Sequence, residues 1–201
     1  MATDDWYRNK KWNEEIEKEF FSRLKRARSQ RDQYLVIQAL TLAKHYPEAS
    51  LRLVNFYFET RKKKFDDMRA LLARAEALLE LAEIDEAMVA YRAVLAREEA
   101  FPNHQSDTYV NYPYIVATHG IESEYDNALK ILDQHAHRLA FPLDRFKWHA
   151  AKALIEKDAK HASQALAATK VKKSGFRFHQ NLGLVGTEHA ETIKELCKIC
   201  T

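Results

Sequence analysis

Glycine and proline are scarce in this chain, four of each among 201 residues, and no glycine precedes Gly120. The first half therefore has no glycine-rich loop of the kind that cradles phosphate, and neither G-x-G-x-x-G nor G-x-x-x-x-G-K occurs anywhere. Alternating apolar runs that would specify a sheet are missing too, so the expected fold is nearly all helix. Cysteine is limited to Cys197 and Cys200, which excludes a disulfide framework and suits a reducing compartment. No run of about 18 apolar residues exists to span a bilayer, and no membrane partner is expected. Met1-Ala2-Thr3-Asp4-Asp5 is acidic and is followed by no apolar stretch, so no signal peptide is expected and the anticipated location is cytoplasmic. Lys and Arg number 32 against 29 Asp and Glu, a net charge of +3, which by itself selects no partner.

What the chain does have is helical periodicity. Residues 68–102 read as two amphipathic helices joined by a short turn: Leu71, Leu72, Ala75, Leu78, Leu79 and Ala82 form one stripe, and Ala87, Met88, Tyr91, Val94 and Leu95 another. A hairpin this small cannot cover both stripes, so it needs similar hairpins beside it. The turn-plus-alanine signature Ile84-Asp85-Glu86-Ala87 recurs as Tyr46-Pro47-Glu48-Ala49, as Tyr125-Asp126-Asn127-Ala128 and, more loosely, as Ala159-Lys160-His161-Ala162. Leu53, Tyr91, Leu132 and Leu166 follow four residues on. Phe101-Pro102 and Phe141-Pro142 are expected to end two of the second helices, because proline has no N–H for a continuing helix, and residues 141–149 to open the fourth hairpin.

With Ala75, Leu78, Ala87, Tyr91 and Pro102 in their places, the central hairpin resembles a degenerate tetratricopeptide repeat. Leu71, Arg74 and Ala75 depart from the residues that pattern prefers, and Pro102 comes late. The resemblance implies an all-α, right-handed α-solenoid of about four hairpins. It would fill residues 1–201 as one domain: an N-terminal cap at 1–29, repeats at 30–170, and a strap with a C-terminal helix at 171–201. Within the cap, Trp12, Ile16, Phe20, Leu24 and Ala27 share a helix face, with Trp6 and Trp12 as packing anchors. Pro113 is expected to kink or delay the third hairpin's first helix, with Ser106 and Asp107 at its start and Gly120 closing it. Thr187 should cap the last helix.

The phase of the resemblance, not the spacing alone, puts Arg31, Tyr34 and Gln38 on a concave face, with Arg69, Glu76 and Lys147 further along it; the structural alternative for Gln33 and Gln38, polar residues inside an apolar run, is to satisfy neighbouring backbone or to face solvent. His149 and Arg177 join these as candidate partner-binding residues. The positions of the family's carboxylate clamp for C-terminal peptides read Tyr34 and Gln38, so that ligand is not expected. The function implied is a non-enzymatic module binding a protein or peptide, with regulation or neutralisation of a bacterial effector or toxin as a narrower version and pairing of two copies open to it. The alternative is a helical RNA-binding protein using basic segments 61–64 and 170–173. No catalytic residue, cofactor or metal is assigned. His135-x-His137 diverges on a helix, Cys197-x-x-Cys200 is a lone pair, and an acid–base pairing of His149 with Arg177 or His179 depends on proximity the sequence does not give.

Overall fold

The computed structural model describes residues 5–103 and 105–201; the acidic start Met1-Ala2-Thr3-Asp4 lies outside the described residues. Ten α-helices are formed, with no strand among the described residues. No helix of the described residues is long and apolar enough to cross a membrane. The chain divides into two compact units, residues 1–105 and 106–201.

The first unit holds α1 (Glu14–Leu24), α2 (Arg31–Leu42), α3 (Pro47–Thr60), α4 (Asp67–Glu80) and α5 (Ile84–Ala100). Asn13 starts α1, its Oδ1 accepting from the Ile16 N–H at 2.9 Å, and Glu14, Glu15 and Glu17 complement the positive end of the helix dipole. Helices α2 and α3 form one antiparallel hairpin and α4 and α5 a second, with α4 packed on both α2 and α3. The first core gathers Trp12, Phe20, Leu24, Leu35, Val36, Ala39, Leu42, Leu53, Val54 and Tyr57. Burial of a Leu or Val side chain contributes about 1.5–3 kcal/mol, so this cluster dominates the stability of the unit. Helices α4 and α5 pack on each other and are rich in buried alanine, Ala75 and Ala77 on one and Ala87 and Ala90 on the other, while Ala73 of α4 joins the first core. At the α3–α4 junction the Tyr57 hydroxyl donates to Asp67 Oδ1 at 2.9 Å, and Arg61 Nε lies 2.8 Å from the same oxygen.

The second unit holds α6 (Thr108–Thr118), α7 (Tyr125–His135), α8 (Pro142–Glu156), α9 (Ala159–Thr169) and α10 (Ala190–Ile199). Helix α6 packs on α7 and α8, α8 on α9, and α10 on α9 and α8. Phe146, Ala150 and Leu154 of α8 and Ala162 and Ala165 of α9 are buried, and Trp148 Nε1 donates to the Leu132 carbonyl at 2.9 Å. Three tyrosines of α6, Tyr109, Tyr112 and Tyr114, are all tied inside this unit. Tyr109 donates to the Arg138 carbonyl, Tyr112 bonds Glu124, and Tyr114 meets His189 Nδ1 at 2.9 Å and Thr192 Oγ1 at 2.8 Å.

Each turn-plus-alanine signature marks the first turn of a helix, α3, α5, α7 or α9, and Ala49, Ala87, Ala128 and Ala162 are buried there. Gly120 closes α6 with φ +65°, its N–H on the Ala117 carbonyl and the Ile121 N–H on that of Val116. Three local expectations need correction. Pro142 opens α8, as the fourth hairpin requires and where its missing N–H would have had no partner in any case, but α7 does not reach Phe141-Pro142 and instead runs into a 3₁₀ turn at Ala136–Arg138. Pro113 sits inside α6, whose start at Thr108 it does not delay. A 3₁₀ turn, Thr187–His189, precedes α10, and the Thr187 side chain does not cap that helix.

Candidate functional site

The predicted partner-binding residues fall in both units, three of them at or beside one face of α2. That face is occupied by residues 5–12 of the same chain, which form a turn and no helix. Gln38 is fully buried, and its amide holds the main chain of Asn9 from both sides. Its Oε1 accepts from the Asn9 N–H at 2.9 Å and from Asn9 Nδ2 at 3.1 Å, while its Nε2 donates to the Asn9 carbonyl at 2.9 Å. Asn9 Nδ2 also donates to the Trp6 carbonyl at 2.6 Å, which fixes the shape of the segment. One turn back along α2, the Tyr34 ring stacks on Tyr7 at 4.3 Å and meets Trp6 edge-on at 5.2 Å. Gln38 therefore does not line an open groove. A buried amide needs partners, and the N-terminal segment supplies them.

Arg31 stands at the start of α2. Its guanidinium pairs with Asp32 and donates to Thr60 Oγ1, both at 3.1 Å, and lies 5.2 Å over the Phe56 ring. Beside Trp6 and Tyr34 an open depression of about 830 Å³ is bordered by Arg23, Arg26, Arg28 and Gln30. Arg69 is exposed on α4, 3.7 Å from Asp66. Glu76 is half-buried on the same helix, where its charge and burial of the ring together push the Tyr91 hydroxyl up, burial being the larger cause.

In the second unit, Lys147 Nζ donates to Asn111 Oδ1 at 2.8 Å and lies 5.7 Å from the Tyr114 ring. His149 Nδ1 stands 2.9 Å from His161 Nδ1. Burial, followed by the nearby His161, Lys152 and Arg145, lowers the His149 imidazole to about 4. Its partner is thus His161 and not Arg177 or His179, because the tight α8–α9 turn sets the two rings side by side. Arg177 is exposed in the strap, with its guanidinium 5.4 Å over the Phe178 ring. A depression of about 580 Å³ borders His149, with Arg145, Gln164 and Lys173 around it.

Two features of these sites were not read from the sequence. One is the part played by Tyr7 and Asn9, which with the expected anchor Trp6 complete the cover of the α2 face; its only signal was an aromatic and an asparagine outside any helical period. The other is the imidazole pair, whose signal was a histidine on each side of the Lys157-Asp158 turn. Among groups that could ligate a metal, Glu156, Asp158 and His161 bring ligand atoms within 4.8 Å of one another. Asp158 Oδ1 is already engaged there, accepting from the Lys160 N–H at 2.7 Å at the start of α9. His135 and His137 have ring centres 6.3 Å apart, and Cys197 and Cys200 are exposed free thiols.

No family model, no curated protein and no solved structure matches this chain.

Proposed function

We propose that this chain is a non-enzymatic, tetratricopeptide-like binding module that takes up a protein or peptide partner on helix faces. The observation that carries the reading is the grip of α2 on a non-helical stretch of chain. A buried Gln38 pairs with main-chain N–H and C=O, and Tyr34 supplies a ring for aromatic side chains. Main-chain bonds of this kind give affinity, and a stacked aromatic beside them gives selectivity. Arg31 and Tyr34 act in the first unit, with Arg69 and Glu76 on its neighbouring helix. Lys147 and His149 offer a separate polar face in the second. The test is capture of a partner by full-length protein carrying Tyr34→Ala and Lys147→Ala together. Loss of the partner with an unchanged helical circular-dichroism signal supports the module; undiminished capture by the folded variant rejects it.

A second reading is RNA binding through the strap, favoured by exposed Phe176 and Phe178 beside Arg177, Lys172 and Lys173. Exposed rings among cations suit stacking of unpaired bases. Lys62, Lys63 and Lys64 are exposed as well, whereas Arg61 is engaged with Asp67 and the Phe58 ring. Retention on single-stranded RNA would fall steeply as salt rises, and a flat salt response would remove this reading.

A further inference from the structure

We propose that the depression between the start of α8, the end of α9 and the strap is a binding site for a nucleoside 5′-monophosphate, with Arg145 and Lys173 on the phosphate and the Gln164 amide on the base edge. The site lies wholly within the second unit. It goes beyond the binding-module reading, since it takes a small ligand and needs no protein partner.

The first support is charge. Arg145, His149, Gln164 and Lys173 border the depression, and no Asp or Glu does. Arg145 and Lys173 are exposed, and among the described residues neither has an ion-pair partner. Residues 159–187, which supply the α9 and strap walls, contain five Lys and Arg and no carboxylate. Asp144, the acid in the first turn of α8, is buried and turned into the helix start, where its Oδ2 accepts from the Ala140 and Phe141 N–H groups at 3.2 and 3.0 Å. A phosphate monoester carries about 1.5 to 2 negative charges at neutral pH, which two unpaired cations match, and the arginine fork adds parallel donors for its oxygens. Burial, followed by the charges around it, lowers the His149 imidazole to about 4, so it is neutral there. In the tautomer that accepts from His161 at Nδ1, its Nε2–H is left to donate to a ribose or phosphate oxygen.

The second support is shape. At about 580 Å³ the depression falls within the roughly 300–1,000 Å³ of small-molecule sites and exceeds what a phosphate alone needs, so an organic body has to fill the rest. Pro142, Ala167, Ala168 and Val171 supply its apolar lining, compact side chains that leave room for a flat group. Gln164 is exposed among them, and its amide offers a donor beside an acceptor, the pattern that reads the edge of a base. The strap wall is already formed. Ser174 is buried, its N–H donates to the Gln180 carbonyl at 2.7 Å and its Oγ to that of His179 at 2.8 Å, and Phe176 stacks on Phe141 at 5.1 Å. A preformed wall leaves less ordering to oppose binding.

The experiment titrates the full-length protein by calorimetry with each ribonucleoside 5′-monophosphate, and with the matching nucleoside, ribose 5-phosphate and inorganic phosphate as partial ligands. At least one nucleotide should bind with a dissociation constant below about 1 mM, and each partial ligand should bind about tenfold more weakly or worse. Arg145→Ala and Lys173→Ala should each weaken the nucleotide about tenfold. Lys160→Ala removes a cation of the same carboxylate-free stretch that does not border the depression, and should leave the affinity within about twofold. No binding of any nucleotide at about 5 mM overturns the site. Inorganic phosphate bound as tightly as the nucleotide, or equal weakening by Lys160→Ala, overturns it as well, because the affinity is then that of surface charge.

A measurement on the unaltered chain guards against misfolding of the variants. In isotopically labelled wild type the nucleotide should shift the Lys173 and Gly175 amides and the Gln164 side-chain amide while leaving the Val36 and Leu53 amides in place. Unmoved Gly175 and Gln164 signals at saturating nucleotide overturn the site. The nucleotide has two sources, free in solution or as the 5′ end of an RNA, and a short single-stranded RNA with and without a 5′-phosphate separates them. Binding that requires the 5′-phosphate supports the site with a chain end as its ligand, and binding of the mononucleotide alone supports it with the free nucleotide. Equal binding of both RNA forms, tighter than that of the mononucleotide, overturns the site in favour of the strap's exposed rings and cations.

Discussion

Gln38 and Asn9, 29 residues apart, exchange three hydrogen bonds of 2.9–3.1 Å, and the glutamine that makes them is completely buried. Replacing Gln38 by leucine keeps most of its volume and removes every one of these bonds. The Asn9 N–H and C=O are then left facing an apolar group, at a cost of about 1–3 kcal/mol. Urea denaturation should register that loss, together with faster exchange of the Asn9 amide. A variant as stable as wild type with Asn9 still protected would contradict the role assigned to this pair.

Ala82 closes α4 in the left-handed region with φ +58°, where the Ala82 N–H bonds the Leu79 carbonyl and the Glu83 N–H that of Leu78. A Cβ is strained in that conformation, and glycine is not. Ala82→Gly should stabilise the protein by about 0.5–1 kcal/mol, the strain relief slightly exceeding glycine's entropic cost. The midpoint of urea unfolding checks the sign; a decrease would mean that the Ala82 methyl makes a contact worth more than the strain.

Gly183 adopts φ +67°, and its carbonyl accepts from the Leu143 N–H at 2.8 Å at the start of α8. A Cβ there would overlap the Phe141 side chain, which itself stacks on Phe176. Gly183→Ala should therefore destabilise the second unit by about 2–4 kcal/mol, combining backbone strain with overpacking. Equal stability in the alanine variant would show that the strap does not dock where Phe141 and Gly183 meet.

His149 supplies a pH dependence. Its folded value of about 4 lies below the ordinary 6.5, so between these values the unfolded chain binds the proton and the folded chain does not. Stability is complete above about pH 6.5 and falls as pH drops toward 4. Allowing for the partial exposure of the ring, the loss is about 1–2 kcal/mol. Burial also depresses His189, which adds in the same direction. Urea midpoints at pH 7 and pH 5 should separate for wild type and lie closer together for His149→Gln, the remainder coming from His189; an unchanged gap would assign the effect to other groups.

The helices were largely legible because alanine and large apolar residues alternate at three- and four-residue steps from α2 to α5, a signal that no loop imitates. Ala49, Ala87, Ala128 and Ala162 sit where two helices must approach closely, which is why a short signature located four helix starts. Pro142 was harder, since the same ring that ends one helix is tolerated in the first turn of the next. Gln38 was legible only as a choice, since its own helix allows it to satisfy neighbouring backbone, to face solvent or to line the groove, and the structure selects the first. A polar residue within an apolar run faces water or binds inward according to what arrives from elsewhere, and here the arriving group is Asn9. His149 is the same case, its environment being set by His161 across a turn.

The central claim is capture of a protein or peptide, and a tagged pull-down of the full chain from native lysate, divided into nuclease-treated and untreated halves, tests it most directly. The account predicts one stoichiometric protein that survives nuclease and is lost with Tyr34→Ala. Bound proteins that vanish with nuclease would contradict it and transfer the function to the exposed cations and rings of the strap.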